Sequence, residues 1–181
     1  MIAKFSTRKV HVLVVSMLLT VTPCLAQAPQ SVQWKPVSGH DPTFTAEMPA
    51  VPEYSEQTMK SGGGTAYTAH TYSIDQGSVA YIIKTATFPA DVNVSVPKEN
   101  IQSAIGAIAK GLKDGKWTSV SWVDHEGLVA VDAVGVQGEV ELRYYAVMKG
   151  SQFVSLIYGG PPGTSGTPDV DRFLHSLQFP K

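Results

Sequence analysis

The sequence predicts an α+β domain: an antiparallel β-sheet of about six to seven strands with amphipathic helices packed on it. Two observations carry that prediction. Segment after segment alternates apolar with polar residues or is rich in β-branched and aromatic ones, and short glycine-bearing or polar turns separate most of them. Two further segments, opening at Pro97 and Pro168, repeat apolar residues at spacings of three and four instead. Strands joined by tight turns run antiparallel, and helices that do not alternate regularly with strands are packed onto such a sheet rather than threaded through a parallel one.

The chain opens with a leader. Lys4, Arg8 and Lys9 make the first residues basic, and no acid occurs among the first 28. Val10 to Val21 is apolar apart from His11, Ser16 and Thr20. That dozen residues falls short of the roughly 20 that cross a bilayer as a helix, and fits the apolar core of a signal peptide. Pro23 breaks the run, and Ala26-Gln27-Ala28 is a small-x-small cleavage pattern, so cleavage is expected after Ala28, with Ala26 as second choice. Cys24 is the only cysteine. A lipid-anchored amino terminus needs a small residue before its cysteine, and here Pro23 stands there, so Cys24 is expected to leave with residues 1–28. The product is then periplasmic or secreted and free of thiols, which excludes thiol catalysis, disulfides and thiolate metal sites.

Removing the leader leaves eleven Lys and Arg against all fifteen Asp and Glu, a mildly acidic body. Generic attraction to nucleic acid is not expected of it, and no later apolar run reaches membrane-spanning length. Its length suits one domain that buries enough surface to need no staples.

The elements follow in order. Residues 29–43 are polar and proline-bearing and read as an extended arm, pinned by the ring of Trp34; the domain proper is expected over 44–181. Phe44, Ala46 and Met48 alternate with Thr45 and Glu47 as in a half-buried strand, which Pro49 and Pro52 end. Glu53 to Lys60 and Thr65 to Ile74 flank Ser61-Gly62-Gly63-Gly64 as a hairpin, and Asp75-Gln76-Gly77 turns the chain into a strand from Ser78 to Phe88. Ile101, Ala104, Ile105, Ile108 and Leu112 mark a helix that Pro97 starts and Gly115 closes; Lys98, Lys110 and Lys113 sit on its opposite face. Trp117 to Val123, Leu128 to Val136, Glu139 to Met148 and Gln152 to Tyr158 read as a meander of strands. A last helix follows Thr167 as N-cap, with Val170, Phe173, Leu174 and Leu177 as its buried stripe.

Candidate chemistry is sparse. Asp124-His125-Glu126 is the densest set of metal-capable side chains, but neighbours on an extended chain point apart and the set reads as a turn; His40-Asp41 has the same weakness. His175 lies four residues after Asp171, a spacing that suits an exposed ion pair. Gly163-Thr164-Ser165-Gly166-Thr167 lacks the final glycine of a nucleophile elbow, and Gly62 to Gly64 lacks the lysine and hydroxyl of a phosphate loop. Glu139, Glu141 and Arg143 share one strand face as a solvated charge ladder. No enzyme, cofactor or metal site is expected. The residues left as binding candidates are His70, Tyr72, His125 and Ser165.

Three stretches resemble a known family. Phe44-Thr-Ala-Glu-Met-Pro49-Ala-Val-Pro52, Arg143-Tyr-Tyr-Ala-Val-Met-Lys-Gly-Ser-Gln-Phe153 and Phe173-Leu-His-Ser-Leu-Gln-Phe179 are similar, in that order, to the opening, penultimate hairpin and ending of bacterial exported PsbP-like domains. The resemblance spans Phe44 to Phe179. It implies the α/β/α sandwich shared with photosystem II PsbP and the Ran-binding Mog protein, and no common catalytic residue. The function expected, from the lack of a catalytic constellation on an exported fold, is a non-catalytic domain that binds a protein or cell-envelope component, with the long Gly/Pro loop from Gly159 to Pro168 as a candidate binding edge. The competing expectation is a small-molecule carrier or hydrolase with a pocket beside the sheet, built on His70, Tyr72 or His125.

Overall fold

The computed structural model describes residues 33–41, 43–111 and 115–180. The leader with Cys24 and both cleavage positions, together with Leu112 and Lys113 of the first helix pattern, lies outside the described residues. Seven strands form one antiparallel sheet: β3 (Glu53–Lys60), β4 (Ala66–Asp75), β5 (Ala80–Thr87), β6 (Lys116–His125), β7 (Leu128–Gln137), β8 (Val140–Lys149) and β9 (Gln152–Gly160). Their spatial order is β3-β4-β5-β9-β8-β7-β6. A separate two-stranded sheet pairs β1 (Lys35–His40) with β2 (Thr43–Met48), and two helices complete the domain, α1 (Pro97–Gly111) and α2 (Pro168–His175). This is the expected α+β class.

The sheet separates two cores. On β8, Tyr145 and Val147 face one core while Tyr144, Ala146 and Met148 face the other, as the two-residue period of a strand requires. The first core lies between the sheet and a layer made of β1, β2 and α2. It contains Phe44, Met48, Ile83, Leu156, Phe173 and Leu174, all fully buried. The second lies under α1, whose Ile101 and Ile105 pack on Val131, Ala133 and Tyr144. Each such aliphatic or aromatic side chain contributes about 1.5–3 kcal/mol by leaving water.

Three local features explain how the chain builds this. The hairpin β6–β7 closes on Glu126 and Gly127, both at positive φ (53° and 84°), the pair of left-handed positions that a two-residue hairpin turn demands. Gly135 on β7 has no room for a Cβ, because the Trp117 ring lies 2.9 Å from where it would stand; the missing side chain lets that ring cross β7 at the irregularity between Trp117 and Ser119. The two ends of the domain also close on each other. Thr45 and Gln178 exchange backbone hydrogen bonds of 2.9 and 2.8 Å, and Ser176 Oγ accepts from the Glu47 amide at 2.8 Å.

The arm differs from its sequence reading. Trp34 does pin it, packing edge-on to Tyr81 under the guanidinium of Arg172. Yet Lys35–His40 is a strand, with Val37 buried, because pairing with β2 supplies the backbone partners that its own sequence does not advertise. The lysine face of α1 is likewise not wholly solvated: Lys98 Nζ stands 4.9 Å from the centre of the Trp122 ring.

Candidate functional site

The tight turn Ser61–Thr65 sets the register of the β3–β4 hairpin. The Ser61 amide donates to the Thr65 carbonyl at 2.9 Å, and the register then places Tyr54 opposite Tyr72 and Glu56 opposite His70. All four lie on the face that carries the small sheet. Tyr72 packs edge-on against Phe44 of β2 (5.8 Å between ring centres), Tyr54 leans on Tyr72 (5.2 Å), and His70 stacks on Tyr54 (6.1 Å, 18° between planes). Where the β1–β2 turn overhangs this hairpin a cleft of about 380 Å³ opens, lined by Ser38, Asp41, Tyr54, His70 and Tyr72. The Asp41 carboxylate accepts from the Thr87 hydroxyl, which ties the overhang to β5.

The polar groups here form a short chain. The Tyr54 hydroxyl donates to the Glu56 carboxylate (3.1 Å) and meets His70 Nδ1 at 2.8 Å. A carboxylate only accepts, so the single phenolic proton goes to Glu56, and the imidazole Nδ1–H donates to the Tyr54 oxygen. Local desolvation first and Glu56 second hold the Tyr54 phenol above tyrosine's ordinary value, and burial does the same for Tyr72. Both phenols stay neutral at physiological pH.

His70 and Tyr72 thus line one cleft, and the two other candidates lie elsewhere. His125 is at the opposite end of the sheet, on β6. Its Nδ1 meets the Tyr145 hydroxyl at 3.0 Å, its ring packs edge-on to Tyr145 and Phe179, and its Nε2 is buried with no hydrogen-bond partner. Burial pushes the His125 pKa down and His175 adds to it, outweighing Asp124 and Glu126; Tyr145 itself is pushed up to about 12, by burial first. Asp124 serves the turn, its Oδ1 accepting from the Gly127 amide at 3.1 Å. Ser165 is buried, with its amide donating to Glu141 (3.0 Å) and its carbonyl accepting from Arg143 (3.0 Å).

Two expectations about charge are corrected. Glu141 and Arg143 are not rungs of a solvated ladder. Arg143, only 14% exposed, clasps both carboxylate oxygens of Asp132 (3.0 and 2.8 Å) and one of Asp171 (2.6 Å). Glu141 accepts from the amide of Ser165 first and of Gly163 as well, and these bonds hold its carboxyl below the usual range. Asp171 and His175 do not form an exposed ion pair either. The Asp171 carboxylate is taken by Arg143, and His175 Nδ1 bonds the Asp171 backbone oxygen at 2.9 Å. The Gly/Pro loop before α2 is thus drawn onto β8 by both residues. Thr167 occupies the N-cap position, but its hydroxyl donates to the Thr164 carbonyl instead of capping the helix.

Sequence reasoning missed Tyr54 as a site residue and met Asp41 only as half of an adjacent pair. Tyr54 was reachable through the glycine turn, since centring the hairpin on Gly63 pairs 54 with 72 and 56 with 70; Asp41, outside that hairpin, carried no such signal. Among the described residues no three His, Cys, Asp or Glu side chains gather as a metal ion requires, and no helix is long and apolar enough to cross a membrane.

Two measurements check this geometry. Replacing Arg143 by Met leaves Asp132 and Asp171 facing each other unpaired, and is expected to cost about 2–4 kcal/mol in urea unfolding, less than a fully buried pair because Asp171 is half exposed. For His125 the native state favours the neutral ring, so its contribution is fully present above the unfolded pKa near 6.5 and is lost as pH falls through the lower folded value. The stability difference between pH 7.5 and 5 should therefore be smaller in His125→Phe than in the parent chain; an equal difference contradicts the assignment.

Comparison with known proteins comes down to shape. No family model matches the chain, and no curated protein matches it. The solution structure of cyanobacterial PsbP (CyanoP) from Synechocystis sp. PCC 6803 is similar over 88% of this chain and 99% of its own, with a TM-score of 0.54 at 9% identity. A Pseudomonas aeruginosa protein of unknown function, described as a putative regulator, aligns over 73% of this chain and 85% of its own, with a TM-score of 0.41 at 12% identity. A seven-stranded antiparallel sheet with α1 on one face and the β1–β2 layer and α2 on the other is thus a PsbP-like fold, as the sequence resemblance implied.

Proposed function

We propose that this is an exported, non-catalytic binding domain, and that it takes its partner, a protein or cell-envelope component, at the Tyr54–His70–Tyr72 cleft. One observation carries the reading: Tyr54 is 54% exposed on the edge strand β3, backed by a chain of aromatic contacts that runs through Tyr72 to Phe44 in the core. A large ring held in place while open to solvent is the kind of anchor that binding surfaces use. The residues that chemistry would recruit elsewhere are committed to structure. Arg143 and Glu141 hold the loop before α2, and Ser165 gives both its backbone groups to them.

A second reading, carriage of a small molecule, is favoured by the volume of the same cleft, about 380 Å³, which lies within the range of small-ligand sites. Export rests on the basic, apolar and small-residue order of the first 28 residues.

The test compares capture from an envelope extract by three immobilised chains: the parent, Tyr54→Ala, and Val140→Ala, which removes an exposed side chain on another strand. Both substitutions are expected to cost no more than about 1 kcal/mol. Retention by the parent and Val140→Ala with loss from Tyr54→Ala is the expected result; equal capture by all three sinks the proposal.

A further inference from the structure

The chemistry of the cleft specifies more than its position. Its five lining residues include no lysine or arginine, and its polar inventory is electron-rich: the Asp41 carboxylate, the Ser38 hydroxyl and two tyrosine rings, with the Glu56 carboxylate bonded to the Tyr54 hydroxyl. With Nδ1 of His70 bonded to Tyr54, Nε2 is the ring's remaining polar atom. Beside His70 in the cross-strand register stands Thr85, 2% exposed, whose Oγ1 is buried with no hydrogen-bond partner.

Aromatic faces carry partial negative charge, and a carboxylate at their margin adds a full one. An anion would meet repulsion from Asp41 and from the rings. A neutral apolar ligand would bury the tyrosines while stripping water from Asp41 without compensation. A compact alkylammonium cation satisfies both demands, since its charge is attracted to the carboxylate and the ring faces and its alkyl carbons fill the apolar part of the space. We propose that the cleft binds an ammonium group, held against Tyr54 and Tyr72 with Asp41 as its counter-charge. This rests on the reading of the cleft as the binding site and names the chemical class of what it binds. The same ammonium chemistry has two sources, a free quaternary amine or headgroup and the side chain of a lysine on a partner protein.

The experiment is calorimetric titration of the full mature chain with two matched pairs of probes. The first pair is choline and its neutral carbon isostere 3,3-dimethylbutan-1-ol. The second is a short peptide with one central lysine and the same peptide with that lysine acetylated. The expected result is that at least one cation binds about tenfold more tightly than its neutral partner. Tyr54→Leu should abolish that binding, and Asp41→Asn should weaken it several-fold while circular dichroism confirms the fold. Preference for choline assigns the free amine, and preference for the lysine peptide assigns a protein side chain. Equal binding of cation and isostere, or no binding of either by the folded parent chain, overturns the proposal. If cations fail while capture from extract still depends on Tyr54, the cleft remains the binding site and only its chemical class is wrong.

Discussion

The central strands of the sheet have no solvent face, and that constraint governs the rest of the fold. β8 and β9 send alternate residues into two cores: Tyr145, Val147, Val154 and Leu156 to one side, Tyr144, Ala146, Met148, Phe153 and Ile157 to the other. Slipping either strand by one residue would exchange the two sets, driving Tyr144 toward α2 and Tyr145 toward α1. Packing therefore fixes register at the centre, whereas outward it is left to the turns. The edge strands show this, since β3 is exposed along its whole length and β6 along most of it. Function can be carried at an edge because the centre needs nothing from it.

The layer over the first core is held by charge as well as packing. Arg143 projects from the same face as Tyr145 and reaches Asp132 on the next strand and Asp171 on α2, so one guanidinium joins strand to strand and sheet to helix. Its cost of desolvation is met by four oxygen atoms from three residues in different segments, the condition under which a largely buried ion contributes rather than penalises. The pairing of Thr45 with Gln178 completes the layer by joining the first and last segments of the domain. It gives a physical reason for the first and last of the three stretches that signalled the fold. Phe44 and Met48 at one end and Phe173, Leu177 and Phe179 at the other are parts of a single buried cluster.

How much of this was legible depends on the range of the interaction. Alternation and helical spacing are local, and the strands, the turns and the stripe Val170, Phe173, Leu174 and Leu177 were readable from them. The strand Lys35–His40 was not, because Lys-Pro-Val-Ser-Gly-His has one apolar side chain and no alternation; only pairing with β2 makes it a strand. The fates of Glu141 and Arg143 were equally hidden. They read as a ladder because their partners, Asp132, Asp171 and the amides of residues 163 and 165, come from three other segments. The cleft falls between these cases. His70 and Tyr72 stood out by residue type, whereas Tyr54 in Glu-Tyr-Ser-Glu-Gln-Thr-Met-Lys carries no periodic signal and gains meaning only through the hairpin register.

A rigid centre and a permissive edge make distinct demands on backbone dynamics. Hydrogen exchange of the domain, read residue by residue, tests them together. The account predicts that the slowest amides lie in β5, β8 and β9 and exchange only by global unfolding, while outward-facing β3 amides exchange orders of magnitude faster. Protection in β3 equal to that in β8 would show that the edge belongs to the cooperative core, and would contradict a fold organised around a double-sided centre.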